Sequence, residues 1–357
     1  VFEGVILPRG EKHDDRHLVL KLRNGYTVGV HVERVSSIDE SGHREPACPE
    51  LELERAIRSD LPRIALLATG GPIASRLDPR TGAVISACTP DELYGAIPEL
   101  ADICELKTRR LSDNPAPDLA WLEYAALARS IGEEIGAGAD GVVIEHGPDT
   151  LGYAAAALGF MVQSSPVPIV LVGGQGGSEQ PSNRAALILV HAARAAAHGD
   201  IAEVQVCAFG PSSDHHGILH RGTRCRKLHS TPFDAFRTVG DIPLAVVHGD
   251  RVTIIDQHFL RRDSARQVKI DPVYSDRVTL LHHYPGMKPD LVDAVVAKGY
   301  RGIVIAGTGL GHVNAQMQPA LKRAIERGVH VVMTVQSPVS YTHLTLPTII
   351  LPCRSRW

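Results

Sequence analysis

Aromatic side chains make up only 4% of the 357 residues, and neither sign of charge predominates: 37 Lys and Arg stand against 40 Asp and Glu, a formal net charge of -3. So even a balance excludes a general electrostatic attraction for nucleic acid or anionic membrane, and any RNA contact must be local or supplied by a partner. Cysteine is scarce and irregularly placed. Cys48, Cys88, Cys104, Cys207, Cys225 and Cys353 contain no C-x-x-C pair, which argues against a disulfide framework and structural zinc and makes a reducing compartment, the cytoplasm, the expected location. No apolar run approaches the roughly 18 residues that suggest a membrane span, and no charged-then-apolar leader opens the chain, so no membrane association is expected. A starting methionine is lacking too: the chain opens at Val1 within a strand-like pattern, as a fragment or a trimmed protein would.

What is abundant is core-forming material. Hydrophobic residues reach 44% and glycines number 33, enough for a large core divided among two or three domains. Residues 1–35 alternate apolar and polar side chains, as in His17-Leu18-Val19-Leu20-Lys21-Leu22, and Asn24-Gly25 predicts a tight hairpin turn before Tyr26-Thr27-Val28-Gly29-Val30. This is a small β module, followed by a polar linker over 36–49, so that 1–50 forms one unit. From about residue 60 buried apolar runs alternate with helical segments: Ile64-Ala65-Leu66-Leu67-Ala68, Gly141-Val142-Val143-Ile144, Ile169-Val170-Leu171-Val172 and Val204-Gln205-Val206-Cys207-Ala208, with an Ala-rich helix over Asn183–His198. That pattern predicts an α/β fold with a mostly parallel sheet covered on both faces, over 60–238. Short strands at 244–248 and 252–255 lead into a second α/β unit over 244–337, with strands at 278–281, 301–305 and 330–333. Residues 338–357 have neither period and are rich in Thr and Pro; they resemble a translated sequencing-adapter read-through, the alternative being an irregular tail.

Two strand-to-helix junctions stand out. Ala68-Thr69-Gly70-Gly71-Pro72-Ile73-Ala74-Ser75 and Ile144-Glu145-His146-Gly147-Pro148-Asp149-Thr150-Leu151 each follow a strand and open a helix, which places them at the carboxyl edge of the sheet where α/β folds bind ligands. Singly, each also suits an ordinary βα turn, with proline at the first helical position and an acid in the first turn.

Together they resemble the T-G-G-T-I-A-S and H-G-T-D-T signatures of the type I/II asparaginase family. The resemblance continues through Val172-Gly173-Gly174-Gln175, His220-Arg221-Gly222-Thr223-Arg224-Cys225-Arg226-Lys227 and Gly307-Thr308-Gly309-Leu310-Gly311-His312. The front module, with Glu3-Gly4-Val5-Ile6-Leu7-Pro8 and Leu20-Lys21-Leu22-Arg23-Asn24-Gly25-Tyr26, is similar to the β-barrel that sets the archaeal-type amidotransferase D subunits apart from free asparaginases. The resemblance implies a small N-terminal β-barrel, an asparaginase-like doubly wound domain and a truncated C-terminal α/β domain. It also implies a glutaminase chemistry in which a threonine attacks the amide of glutamine, releases ammonia and leaves an acyl-enzyme for water to clear, assisted by a second threonine, an aspartate and a lysine.

Carried across position by position, the nucleophile falls on Pro72, the second threonine on Pro148, the aspartate on Asp149 and the lysine on Lys227, with Gly71, Ser112 and Gly147 on the substrate side. Proline has neither hydroxyl nor backbone N–H and can do none of the threonine's work. The copy as written is therefore expected to be inactive, either as an ammonia-generating subunit or as a catalytically dead scaffold; a free L-asparaginase is the third alternative. Implied partners are the E subunit, which would use ATP with Mg to amidate glutamyl-tRNA(Gln), that tRNA, and a second copy of the D-type chain; no motif here binds ATP or a metal. Pro79 replaces a flap tyrosine of the family. Ser112-Asp113-Asn114 is either the carboxylate-binding segment or a solvated turn. Asp214, His215, His216 and His220 have metal-ligand side chains but no defining spacing. Arg221, Arg224, Arg226 and Lys227 could meet phosphates or neighbouring carboxylates, the second being the more ordinary reading. Gly307–His312 lacks the ending of a P-loop and reads as a sheet-edge turn.

Overall fold

The computed structural model describes residues 4–6, 17–22, 27–39, 60–69, 75–77, 84–86, 90, 93–94, 97–112, 118–173, 183–210 and 213–338. At the front, β1 (Gly4–Ile6), β2 (His17–Leu22) and β3 (Thr27–His31) form an antiparallel sheet in sequence order. Lys21 stands opposite Thr27 and Leu20 opposite Val28. Asn24 and Gly25 themselves lie outside the described residues, as does the linker beyond Asp39.

The largest sheet is built from β4 (Arg63–Ala68), β7 (Glu105–Arg110), β8 (Gly141–Glu145), β10 (Ile169–Val172), β11 (Val204–Gly210), β12 (Ser213–Arg221), β15 (Ala245–His248) and β16 (Arg251–Ile254), in the order β16-β15-β12-β11-β10-β8-β4-β7. Five neighbours, β7-β4-β8-β10-β11, are parallel. Their chain order is 2-1-3-4-5, a doubly wound arrangement. The remaining three each run antiparallel to the neighbour before them; β12 and β16 must do so, because only two residues separate Gly210 from Ser213 and His248 from Arg251, far short of the dozen or so that a parallel crossover needs. Three small pairs complete the strands: β5 (Ser75–Leu77) with β6 (Val84–Ser86), β13 (Cys225–Lys227) with β14 (Phe236–Thr238), and β9 (Val162–Gln163) with β17 (Lys269–Ile270).

Every residue of β8, β10 and β11 is buried, which is why these strands read as continuous apolar runs. Helices α1 (Trp121–Gly136) and α2 (Leu151–Met161) cover one face, with Ile131, Leu151 and Leu158 against Leu67, Ile144 and Leu171; α3 (Asn183–His198) covers the other, with Ile188, Ala192 and Ala196 against Ile64, Val143 and Val170. Each fully buried Leu or Ile here contributes about 1.5–3 kcal/mol of transfer free energy.

Past β16 the chain is strapped to the carboxyl end of α3 by Arg262. Its guanidinium donates to the carbonyls of Asp140 at 2.6 Å, Ala196 at 2.8 Å and Gly199 at 3.1 Å, and its backbone N–H donates to Asp200 O at 2.8 Å. The Ala196 and Gly199 carbonyls are among those that a helix end leaves without intrahelical donors. Beyond the strap, β18 (Val278–His282), β19 (Gly302–Gly307) and β20 (His330–Val335) form a parallel sheet. Helices α4 (Asp290–Ala297) and α5 (Met317–Glu326) cover one face of it through Val292, Leu321, Ile303, Ile305 and Val331.

Candidate active site

In a doubly wound sheet the ligand crevice opens beyond the carboxyl ends of the strands where the winding reverses. The reversal lies between β4 and β8: from β4 the chain moves out to β7 on one side and returns to β8 on the other. The strands that lead into both proline-bearing junctions end at this point; the second enters α2 as expected, whereas Ser75–Leu77 after the first is the strand β5 and not the start of a helix, because it pairs with β6. Thr69 N–H donates to Glu145 O at 3.0 Å and Leu111 N–H to Ala68 O at 2.9 Å, so the first junction, the second and half-buried Ser112 leave the sheet side by side. Gly147 is buried, Pro148 half-buried and Asp149 exposed, in the turn that enters α2.

Lys227 reaches this turn from the end of β13, and its Nζ donates to Asp149 Oδ1 at 2.6 Å. Two glycines make the approach possible. A β-carbon at Gly152 on α2 would sit 3.0 Å from the Cys225 carbonyl oxygen, and one at Gly222 would sit 2.9 Å from the carbonyl oxygens of both Ala155 and Val204. The backbone of 222–225 therefore lies directly on α2 and delivers Lys227 over the helix N-terminus. The lysine side chain is 17% exposed and the carboxylate 71%, so the pair has one wet side and contributes little to stability. It holds an amine over the turn that enters α2. Pro72, Gly71, Pro79, Asp113 and Asn114 lie outside the described residues.

Beneath the turn is a histidine that belongs to the second sequence motif but that its local pattern does not mark as functional. His146 is fully buried; its Nδ1 is 2.6 Å from Thr69 Oγ1 and its Nε2 3.1 Å from Thr150 Oγ1. Burial pushes its pKa down to about 4, so the ring is neutral near pH 7. Tyr124 packs beside it at 6.1 Å between ring centroids. Histidine and threonine are visible at these junctions in the sequence; that they meet depends on the β4–β8 register.

The other polar clusters sort themselves without a ligand. Arg221 pairs with Glu203, with Asp256 at 3.1 Å and with the His258 carbonyl at 2.6 Å, the ordinary of its two readings. A cavity of about 550 Å³ beside it is lined by Thr223, Arg224, Asp241, Ile242, Asp256 and His258 as well as Arg221. It takes in neither Asp149 nor Lys227, and its central guanidinium is already neutralised. His220 bonds Thr238 Oγ1 at 2.7 Å, whereas His216 stacks on His248 at 4.4 Å. They stand four positions apart along one strand, roughly 13 Å. Among the described residues no group of three or more His, Cys, Asp or Glu gathers as metal ligands, and no helix is long and apolar enough to cross a membrane. The 307–312 loop is a turn closed by Thr308 N–H to His312 O at 2.9 Å.

Comparison with known proteins decides the family. The family described as "Asparaginase, N-terminal" matches residues 63–259, "Glutaminase/Asparaginase C-terminal domain" matches 277–346, and "GatD N-terminal domain" matches 1–39. The glutamyl-tRNA(Gln) amidotransferase D subunit of Pyrococcus furiosus is 41% identical over 337 residues, which is 94% of this chain and 76% of that protein. Its counterpart in Methanopyrus kandleri is 41% identical over 350 residues, 94% of this chain and 75% of that one. The chain belongs to the D-subunit family of glutamyl-tRNA(Gln) amidotransferases. By family it is one chain of a multi-subunit amidotransferase, built on the asparaginase fold. Among solved structures, the thermostable L-asparaginase from Thermococcus kodakarensis superposes with a TM-score of 0.66 at 28% identity, covering 78% of this chain and 81% of that one. L-asparaginase I from Vibrio cholerae does so at 0.65 and 24% identity, covering 78% and 82%, a likeness of fold alone. The D-subunit match at residues 1–39 lies in front of the asparaginase-like part.

Proposed function

We propose that this chain is the ammonia-supplying partner of a tRNA-dependent amidotransferase, with its amidase centre at positions 72, 148, 149 and 227, and that Pro72 and Pro148 leave this copy unable to perform the chemistry. The observation that carries the proposal is the Lys227–Asp149 contact of 2.6 Å beside Pro148. In a threonine-bearing relative of this site, the hydroxyl at 72 would attack the amide carbon of glutamine, the lysine amine would relay the proton, ammonia would leave and water would clear the acyl group. Asp149 holds the lysine in place for that step. Here the acid and the amine persist with no hydroxyl at 148 or 72 for them to serve. Amidation of glutamyl-tRNA(Gln), with its ATP and Mg, belongs in this proposal to the partner E subunit, and a second copy of this chain completes the site.

The test is a glutaminase assay of the chain as written and of the Pro72→Thr, Pro148→Thr double variant. The expected result is no turnover in the first and measurable ammonia release in the second. Turnover in the unaltered chain overturns the proposed mechanism. Copurification with an E subunit separates the amidotransferase role from that of a free L-asparaginase, and the D-subunit match at residues 1–39 favours the former.

A further inference from the structure

We infer that His146 is the positioning residue of this site: a neutral imidazole protonated on Nδ1, at the centre of a one-way hydrogen-bond chain running from Thr150 through His146 and Thr69 to the Glu145 carbonyl. The inference deepens the proposed amidase reading, and only its kinetic arm depends on that reading.

The direction follows from counting protons. Thr69 Oγ1 donates to the Glu145 carbonyl at 3.0 Å, and a hydroxyl has a single proton. At 2.6 Å from His146 Nδ1 the same oxygen can only accept, so Nδ1 carries the ring proton. A neutral ring then has a bare Nε2, which accepts from the Thr150 hydroxyl at 3.1 Å. Every link points the same way, and reversing one sets two protons or two lone pairs against each other. Buried chains of this kind are costly to leave half-made.

The consequence is geometric. His146 and Thr150 clasp the turn that contains Pro148 and Asp149, while Thr69 is tied to the same ring three positions before Pro72. One imidazole therefore sets the spacing between Thr69, at the end of β4, and the turn that carries Asp149.

The first arm of the test uses the unaltered chain, labelled with 15N-histidine and assigned through His146→Asn. Two-bond nitrogen–proton correlations are expected to show His146 neutral with its proton on Nδ1 from pH 8 to about pH 5. A proton on Nε2, or titration near the ordinary value of about 6.5, overturns the inference. Thr69→Val, which removes the acceptor while keeping the shape, is expected to move the proton to Nε2; an unchanged spectrum also overturns it. The second arm places His146→Leu and His146→Asn in the Pro72→Thr, Pro148→Thr chain. The leucine variant is expected to lose at least about tenfold in kcat with KM little changed, and the asparagine, which keeps a donor toward Thr69, to recover part of it. Equal kcat in His146→Leu and its parent sinks the positioning role. If the repaired chain has no activity, the proposed function fails while the spectra still decide the inference.

Discussion

Lys227 and Asp149 are 78 positions apart in sequence and 2.6 Å apart in space, with the amine sheltered and the carboxylate open to water. The lysine is fixed by a backbone that lies on α2; the aspartate is fixed by the turn that starts α2. An ion pair with so exposed a partner adds little to the stability of a fold.

Asp149→Asn should therefore separate activity from stability. In the chain as written its cost is expected to stay below about 1 kcal/mol, read as a small shift in the urea midpoint. In the threonine-repaired chain the same change should lower turnover by about a hundredfold or more, since the lysine loses the group that orients it. A large loss of stability with little effect on turnover would reverse these assignments.

Gly222→Ala should act the other way round. The new methyl would press on two backbone carbonyls at once, those of Ala155 and Val204, neither of which can move aside like a side chain. A destabilisation of about 1–3 kcal/mol is expected, and with it a displacement of the segment that carries Lys227. Thermal unfolding measures the first effect. A midpoint equal to that of the parent would show that the helix–segment contact has room for a methyl after all.

Arg262→Lys is expected to cost almost as much as Arg262→Ala, on the order of 2–4 kcal/mol, because a planar fork serving several carbonyls has no equivalent in a single ammonium. Urea titration with an unchanged slope checks it. A lysine variant as stable as the parent would count against the strap.

Two buried histidines give the protein a predictable weakness to acid. His146 and His220 both have pKa values lowered from the ordinary 6.5 to about 4, by burial in each case and for His220 secondarily by the charge of Arg237. Between those values the unfolded chain binds protons that the folded chain refuses, so unfolding is favoured as pH falls. Stability attributable to these groups is fully present above about pH 6.5 and declines toward pH 4, by a few kcal/mol for each histidine. The slope of unfolding free energy against pH in that window should shrink in His220→Gln. An identical slope would mean that His220 titrates normally in the fold.

Much of the fold is legible in the sequence because its strands are buried on both faces and announce themselves as apolar runs. Ile169–Val172 and Asn183–His198 form a strand and a helix over those same residues. β12 carries no such signal: Asp214, His215, His216 and His220 have the look of ligand candidates, not of a strand, since its neighbours in the sheet rather than its own composition hold it there.

The sequence by itself determined that proline stands at positions 72 and 148 after two buried strands, that Asp149 and Lys227 are present, and that β-rich and α/β segments follow one another in this order. These are matters of residue identity and local period, which need no partner strand. It misjudged the first junction, which leads to the strand Ser75–Leu77 and not to a helix. Only the tertiary structure decided that Lys227 meets Asp149 and that His146 ties Thr69 to Thr150. Both depend on register between strands and on a backbone passing close over Gly152 and Gly222, relations between distant segments that no local pattern encodes.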